Sequence, residues 1–311
     1  TLEEEPAERM TLDGEPVVRV LVPRPPDTPA LRDRLHARGI RSYEADVRFS
    51  QRYLIDHAIH GAMEIRGEPV PFREEGDRFP QILVYDDPHL SPSRFRPELS
   101  VLSLDIETDM RGERLLSVAL AGCGAAEVLL LNPPGMHAPE GALPFPAERD
   151  LLAAFAHRVR ELDPDVLTGW NVADFDLRVL ARRAEELGLP LELGRLAGPI
   201  KLRPGRGRSS AEATVPGRLV LDGIDLLTTS FVRMEDYSLD AVAREILGTG
   251  KTITGHDRGE EIQQAFEHDR QRFVDYNLND ARLVLEILAK LELVELAVER
   301  SLLTGLPPDR V

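Results

Sequence analysis

The stretch VLSLDIETDM, residues 101–110, decides the fold of this 311-residue chain. It begins with apolar residues that are typical of a buried β-strand, and then places Asp105 and Glu107 on either side of Ile106. Because side chains alternate across a strand, both carboxylates lie on the same face. Two neighbouring carboxylates at the end of a buried strand repel each other and lose hydration, so the pair needs a compensating partner.

The segments that follow predict an α/β layer fold with a mixed sheet. LSVLSLDI, LLSVALAG and EVLLLN are three apolar runs separated by short turns, a pattern that indicates an antiparallel meander. Helices and strands then alternate, a pattern that places helices on the faces of a mixed sheet. The predicted elements are a helix at 147–162, a strand at 166–171, a helix at 173–188, a strand at 218–227, a helix at 238–248 and a long helical tail at 260–303.

Residues 1–97 have a mixed pattern that predicts a smaller α+β domain. We therefore predict a domain boundary near residue 97, with a second domain at 98–311 that carries a basic insertion at 195–218. The predicted elements of the first domain are the strand PVVRVLV, a helix at 27–39, a strand at 41–47, a helix at 51–60 and the strand QILVYDD.

The net charge of −16 argues against a general nucleic-acid coat protein, which needs clustered lysine and arginine. Residues 195–218 are the exception, with six positive side chains against one acid, Glu212. Their Gly and Pro content, without a helical period, predicts an irregular basic loop or ribbon, although a merely solvated connection is an open alternative. The six positive residues are Arg195, Lys201, Arg203, Arg206, Arg208 and Arg218.

Cysteine and apolar content limit the cellular setting. A single cysteine, Cys123, excludes an internal disulfide and a cysteine-based metal cluster, and it predicts a reducing cytoplasm. No run of 18 apolar residues predicts a membrane span, and the start of the chain has no signal-peptide pattern. Because the chain begins at Thr1 and stops just after LPPDRV, we expect it to be a piece of a longer protein.

Two further segments supply acids to the same cleft. Asp176, in GWNVADFDL, falls in the first turn of a helix near the carboxyl end of its strand, where ligands bind in α/β proteins. Asp280 and Tyr276 are four residues apart, so they share a helix face that we expect to point at the sheet. Four converging carboxylates need a counter-charge, and oxygen-only ligands favour Mg²⁺ or Mn²⁺ over zinc.

Structural roles are the alternative for each of these residues. Asp176 could be a helix cap, with Asp174 as its rival for that position. Tyr276 could be a core residue with a hydrogen-bonded hydroxyl, and Asp280 could pair on the surface. The candidate partners of Asp280 are Arg272 and Arg282. The pair on the first strand is the hardest to explain in this way, since no local cation lies opposite it in the sequence.

Three motifs carry a family resemblance. DIET at 105–108, NVADFD at 171–176 and YNLND at 276–280 resemble, in this order and at these separations, the exonuclease motifs of family B DNA polymerases. They are similar to the DEDD exonuclease subclass whose third motif has tyrosine. The resemblance is to the bacterial polymerase II type and extends over residues 40–311, whereas the first 40 residues match poorly.

The resemblance implies a ribonuclease H-like fold and a 3′–5′ proofreading exonuclease that releases deoxynucleoside monophosphate from the 3′ end of DNA with two Mg²⁺ or Mn²⁺ ions. Asp105 and Glu107 would hold metal with Asp176 and Asp280, and Tyr276 with Glu107 would orient the attacking water. No polymerase palm motif follows in this chain. The implied partners are a single-stranded or frayed 3′ end, the polymerase domain of the parent chain and, through it, a sliding clamp, in the bacterial cytoplasm near the nucleoid.

Substrate-binding residues are also implied. Asn171 and Phe175 of the second motif would contact the terminal nucleotide, although Phe175 could equally be a core aromatic. We also expect four residues of the basic segment to bind the DNA backbone, namely Lys201, Arg203, Arg206 and Arg208. Two other functions remain open, a non-catalytic nucleic-acid-binding module and a free-standing exonuclease that acts on RNA or DNA.

Overall fold

The computed structural model describes residues 3–71, 83–205, 211–251, 253 and 258–311. Its N-terminal region contains three small antiparallel pairs of strands, β1 with β2, β3 with β6 and β4 with β5. The elements are β1 (Glu3–Met10), β2 (Pro16–Leu21), α1 (Thr28–His36), α2 (Phe49–Asp56), β3 (Met63–Arg66), β4 (Pro69–Val70), β5 (Val84–Tyr85) and β6 (His89–Pro92).

The N-terminal region differs from the prediction in several places, and the strands β3, β4 and β6 were among the elements not predicted. The strand predicted at 41–47 is wrong, because these residues form turns and Glu44 has a positive φ of 58°. The acidic strand β1 was not predicted, and Gln81 and Ile82 of QILVYDD lie outside the described residues. Among the described residues before position 98, Ile59 is the one apolar side chain that is fully buried. The boundary near residue 97 stays a prediction.

A six-stranded mixed sheet begins at residue 101 and forms the centre of the remaining chain. Its elements and those packed on it are β7 (Val101–Thr108), β8 (Leu115–Gly122), β9 (Ala125–Leu131), β10 (Ala142–Phe145), α3 (Glu148–Leu162), β11 (Val166–Gly169), α4 (Asp176–Glu186), β12 (Lys201–Arg203), β13 (Glu212–Thr214), β14 (Leu219–Asp222), α5 (Gly223–Thr229), α6 (Leu239–Leu247), α7 (Arg258–His268), α8 (Arg270–Lys290) and α9 (Leu293–Thr304). The strand order is β10-β9-β8-β7-β11-β14.

The predicted meander and mixed sheet are confirmed. β7 pairs antiparallel with β8, and β8 pairs antiparallel with β9. On the other side of β7, β11 pairs in parallel with β7, and β14 pairs in parallel with β11. β8 is buried along nearly its whole length, as expected for a strand whose two faces are both covered by helices. Helix α8 packs across β7, β8 and β9, and this contact brings the third motif onto the first strand.

Three elements after residue 98 depart from the prediction. The strand predicted at 218–227 ends at Asp222, whose carboxylate accepts a hydrogen bond from the amide of Ile224 at 2.9 Å and caps α5. The long helical tail is three helices, because Asp269 caps α8 and Glu292 has a positive φ of 51° before α9. The short strand β10, parallel to β9, was not predicted.

The basic segment forms a ribbon in which β12 pairs antiparallel with β13. Arg195 and Arg218 do not belong to a free basic surface, because both bind Asp163 at 2.7 and 2.8 Å, and Arg195 also binds Asp165 at 2.9 Å. These two residues were counted in the basic segment but not among its predicted DNA contacts, and their ion pairs connect the segment to the residues after α3. Of the other four positive residues, Arg206 and Arg208 lie outside the described residues.

None of the helices in the described ranges combines the length and the apolar run that crossing a bilayer requires.

Candidate active site

The two carboxylates of the first motif and the acid of the third motif form one cluster. Asp105 and Glu107 lie on β7 opposite Ala119 and Ser117 of β8. Asp280, on α8, completes a group in which one carboxylate oxygen from each residue lies within 4.8 Å of the other two. The sequence-predicted convergence of these three acids is thus present in the structure, at the carboxyl end of β7.

Asp176 lies beside this cluster at the start of α4. Its Oδ1 accepts a hydrogen bond from the amide of Ile106 at 3.0 Å, so its side chain is tied to β7 between the two acids of the first motif. The capping alternative is not supported, because the residue before Asp176 is the N-cap and makes no side-chain cap hydrogen bond. Asp174 binds Arg178 at 2.6 Å and the amide of Ala211 at 2.7 Å.

Lys251 supplies a cation that sequence reasoning missed. Its ammonium forms an ion pair with Asp280, lies 3.3 Å from the Tyr276 hydroxyl and lies 5.4 Å from the centre of the Tyr276 ring. The alternative of a surface ion pair between Asp280 and Arg272 is not supported, since Arg272 binds Glu261. The cluster therefore carries part of its counter-charge within the protein.

The backbone of Lys251 is held against α6. Asp240 accepts a hydrogen bond from the Lys251 amide at 2.9 Å. At Gly250 an added Cβ would lie 2.6 Å from a side-chain oxygen of Asp240, so a larger residue would force the side chains of α6 to shift. One feature of the sequence could have drawn attention to Lys251: it is one of only three lysines among the 38 lysine and arginine residues of the chain.

Proton affinity is raised across the cluster. Burial first, and then the charge of Asp280, raise the pKa of Asp105 to about 7, while Lys251 and Asn277 act in the opposite direction. Burial and the neighbouring Asp105 charge also raise the pKa of Glu107 and that of Asp176. Without a divalent cation, the site therefore shares protons among its acids near neutral pH.

The Tyr276 hydroxyl remains a proton donor. It is buried, and burial together with the charges of Asp280, Glu107 and Asp105 raises its pKa well above the ordinary value. A neutral phenol beside several carboxylates can donate one hydrogen bond to an oxygen atom in the cleft.

Asp222, a second residue that sequence reasoning missed, shapes the loop of the second motif. Its carboxylate accepts hydrogen bonds from the amides of Asn171 at 3.2 Å and Ala173 at 3.3 Å, in addition to capping α5. Burial raises the pKa of Asp222 to about 6 despite these amides. The anchored loop, in which Asn171 adopts a positive φ of 65°, leads directly into Phe175 and α4.

The predicted nucleotide contacts have different surroundings. Phe175 is 46% exposed, so the alternative of a core aromatic is wrong. Asn171 is half-buried next to it in the loop. Lys201 and Arg203 are exposed on β12, where Arg203 lies 4.0 Å from Glu212 of β13.

The donor set fits a hard divalent cation. All three members of the cluster are carboxylates, and oxygen ligands are those that Mg²⁺ and Mn²⁺ prefer. Protons that the acids share near neutral pH would leave when a cation binds. These features support the predicted kind of site.

Residues 40–119 and 131–242 match the model of the DNA polymerase family B exonuclease domain. DNA polymerase II of Escherichia coli (strain K12) is 38% identical over 283 residues, which cover 89% of this chain and 35% of that protein. The DNA polymerase delta catalytic subunit of Bos taurus is 29% identical over 302 residues, with 85% of this chain and 27% of that protein covered. This chain thus spans about a third of the length of these relatives.

A solved structure agrees with the fold. The family B DNA polymerase of the archaeon Pyrobaculum calidifontis superposes with a TM-score of 0.71 at 23% identity, over 99% of this chain and 39% of that one. At this identity the likeness concerns the fold alone, and it confirms the predicted α/β class with a ribonuclease H-like exonuclease sheet.

Proposed function

The chain belongs to DNA polymerase family B through its exonuclease domain, and from this premise we propose that it is the 3′–5′ proofreading part of such a polymerase. It would hydrolyse the 3′-terminal nucleotide of DNA and release a deoxynucleoside 5′-monophosphate. One observation carries the proposal: Asp105, Glu107 and Asp280 each place one carboxylate oxygen within 4.8 Å of the other two, beside a neutral tyrosine.

The residues of the site have two proposed tasks, metal binding and orientation of the attacking water. Asp105, Glu107 and Asp280, with Asp176 beside them, would hold Mg²⁺ or Mn²⁺, two ions in all. Such ions activate a water molecule for attack on the phosphodiester and stabilise the charge that develops on the leaving oxygen. The Tyr276 hydroxyl would donate to the attacking water, while Glu107 would accept its hydrogen bond.

DNA would approach along the loop of the second motif. The exposed ring of Phe175 can stack on an unpaired terminal base, and Asn171 lies in the same loop. Lys201 and Arg203 of the ribbon would contact the phosphate backbone, joined by Arg206 and Arg208. A single-stranded or frayed 3′ end fits best, because separating it from a complementary strand costs least.

The remaining proposals concern the longer protein. We assign residues 98–311 to the exonuclease domain and residues 1–97 to an N-terminal domain. A polymerase domain of the parent chain would deliver the frayed end, and a sliding clamp would reach this region only through that parent. The setting would be a bacterial cytoplasm, near the nucleoid.

Loss of the first-motif acids tests the activity directly. We expect the D105A/E107A double variant to lose digestion of 3′-labelled single-stranded DNA by a factor of at least about 1000, because both acids act on the attacking water and the metal ions. The matched control, E113A/D275A, removes two exposed acids from the β7–β8 turn and from α8, and it should digest as wild type does.

Metal substitution completes the same experiment. Digestion should require Mg²⁺ or Mn²⁺ and stop with a chelator, whereas Ca²⁺ should bind without supporting turnover, since its looser geometry serves in-line displacement poorly. Near-normal digestion by the double variant, or chelator-resistant digestion, would contradict the proposal. DNA binding by a wild-type protein that never digests it would favour a non-catalytic module, and faster digestion of RNA would favour a different exonuclease.

A further inference from the structure

We propose that Asn277 is a positioning residue for the metal site, which holds the Asp105 carboxylate in the orientation that leaves its second oxygen free for a cation. This inference rests on the proposed function. It concerns a side chain outside the acids and the tyrosine of the three motifs, and three hydrogen bonds carry it.

The Asn277 amide grips Asp105 at two points. Its Nδ2 donates to Oδ2 of Asp105 at 2.7 Å and to the main-chain oxygen of Asp105 at 3.3 Å. Because one NH₂ group contacts both the side chain and the backbone of the same residue, the carboxylate is fixed relative to its own strand. Asn277 has no exposed surface, so water does not compete for these hydrogen bonds.

The two acceptor oxygens of Asp105 set the direction in which the amide points, and Ser117 holds the other end of the amide. The Ser117 hydroxyl donates to Oδ1 of Asn277 at 2.7 Å, and Ser117 is itself fully buried. If the amide flipped, its oxygen would face the Asp105 carboxylate and its NH₂ would face the hydroxyl, so Asp105 would lose its donor. Strand β8 thereby anchors the amide on α8, and the amide holds the acid on β7.

A neutral donor suits this position better than a cation. Asn277 stabilises the charged form of Asp105 without placing a second positive group in the cluster, where one would compete with a divalent ion. The neighbouring Asp280, three residues further on the same helix face, is paired with Lys251 instead. Asp105 is thus held by a neutral amide and Asp280 by a cation. The amide adds no positive charge that would repel a metal ion.

Metal binding without DNA tests the proposal. Free Mn²⁺ measured by electron paramagnetic resonance during a titration should show that N277A binds about 10- to 100-fold more weakly than wild type, the usual consequence of losing a hydrogen bond to a metal ligand. S117A should weaken Mn²⁺ binding about fivefold, because it loses only the hydrogen bond from the Ser117 hydroxyl to Asn277.

Digestion of single-stranded DNA supplies the second readout. In N277A the Mg²⁺ concentration for half-maximal rate should rise by the same factor as the Mn²⁺ dissociation constant, while the KM for DNA stays unchanged. The matched control is N132A, which removes another buried asparagine, at the end of β9, and should lower the melting temperature without changing metal affinity.

The outcomes separate this inference from the proposed function. If N277A keeps wild-type Mn²⁺ affinity and Mg²⁺ dependence, Asn277 is only structural and the inference is wrong. If N277A does not fold, S117A decides, and wild-type metal affinity in that variant overturns the inference. A wild-type protein that neither binds Mn²⁺ nor digests DNA would instead refute the proposed function.

Discussion

At the scale of single residues, Lys251 changes the electrostatic argument for the site. Asp105 and Glu107 look uncompensated in the sequence, whereas the folded chain brings an ammonium against Asp280, with the Lys251 and Asp280 side chains only 13% and 1% exposed. A buried ion pair contributes little net stability, but removing one partner leaves the other charge uncompensated. Lys251 therefore stabilises the metal-free protein and competes with a divalent cation for the same acid.

Replacing Lys251 by Met should separate these two effects. Without divalent ions we expect the free energy of unfolding of K251M to fall by about 3 kcal/mol, the usual order for breaking a buried pair, as measured by urea denaturation. Mn²⁺ affinity should rise, because the competing charge is gone. K290M, on the exposed end of α8, serves as the control and should change neither quantity. Weaker Mn²⁺ binding in K251M would mean that the lysine organises the acids rather than opposing the ion.

Residues at regular spacings could be predicted from the sequence, and residues brought in by tertiary packing could not. Asp105 and Glu107 share a strand face, and Tyr276 and Asp280 share a helix face, so local geometry alone indicates their grouping. Lys251, Asn277 and Asp222 act through partners that are distant in the chain, with Asn277 lying 172 residues from Asp105. Only the scarcity of lysine hinted at the first of these.

At the scale of elements, long apolar runs were predicted well and short ambiguous ones poorly. The meander strands have continuous apolar patterns, which fix both their existence and their type. RLVLDGIDLL is mostly apolar and could be one long strand, but Asp222 caps a helix that takes up its second half. The strand β10 has only four residues and contains a proline, so neither its length nor its composition marks it.

The ribbon of β12 and β13 has an electrostatic prediction of its own. Losing two phosphate contacts in the K201S/R203S variant should weaken single-stranded DNA binding and reduce the slope of log affinity against log salt by about 1.4 units. Adding R206S and R208S should bring the reduction to about three units. Turnover at saturating DNA should change little. Fluorescence anisotropy at several salt concentrations measures affinity and slope together.

The control for the ribbon is R282S/K290S, which removes two exposed positive charges from α8. It should leave the salt slope unchanged. An unchanged slope in the ribbon variants would make the ribbon a solvated connection. Because Glu212 lies 4.0 Å from Arg203, Lys201 and Arg203 should not contribute equally to the loss of affinity. The single variant K201S should then account for more of the loss than R203S.

At the scale of the whole molecule, two groups of acids act on stability at different pH. Burial raises the pKa values of Asp163 and Asp165, but other contacts outweigh it and lower both below the ordinary 3.8. For Asp163 these are the ion pairs with Arg195 and Arg218. For Asp165 they are the hydrogen bonds from Ser100 and the ion pair with Arg195. This stability is present above pH 3.8 and is lost as pH falls further. The active-site acids have raised pKa values, so they act with the opposite sign. Their contribution lowers the free energy of unfolding as pH rises.

In the absence of divalent ions, we expect the free energy of unfolding to fall as pH rises from about 4 to about 7. Asp105 titrates near 3.8 when unfolded and about 7 when folded, so within this window the folded chain holds a proton that the unfolded chain has lost. Asp222, at about 6, adds to the fall with the same sign, as do Glu107 and Asp176. Urea denaturation with a chelator at intervals of half a pH unit measures the slope.

Two comparisons assign that slope to the metal site. The isosteric D105N/E107Q variant should flatten it and be more stable than wild type at pH 7, because two mutually repelling acids are gone. Saturating Mn²⁺ should raise wild-type stability at pH 7 by about 2.7 kcal/mol at 100 times the dissociation constant, and leave the variant almost unchanged. A wild-type slope that persists in the variant would place the titrating groups elsewhere in the molecule. Stability that instead rises between pH 4 and 7 would contradict the raised pKa of Asp105, and with it the view that the folded chain holds this acid in readiness for a cation.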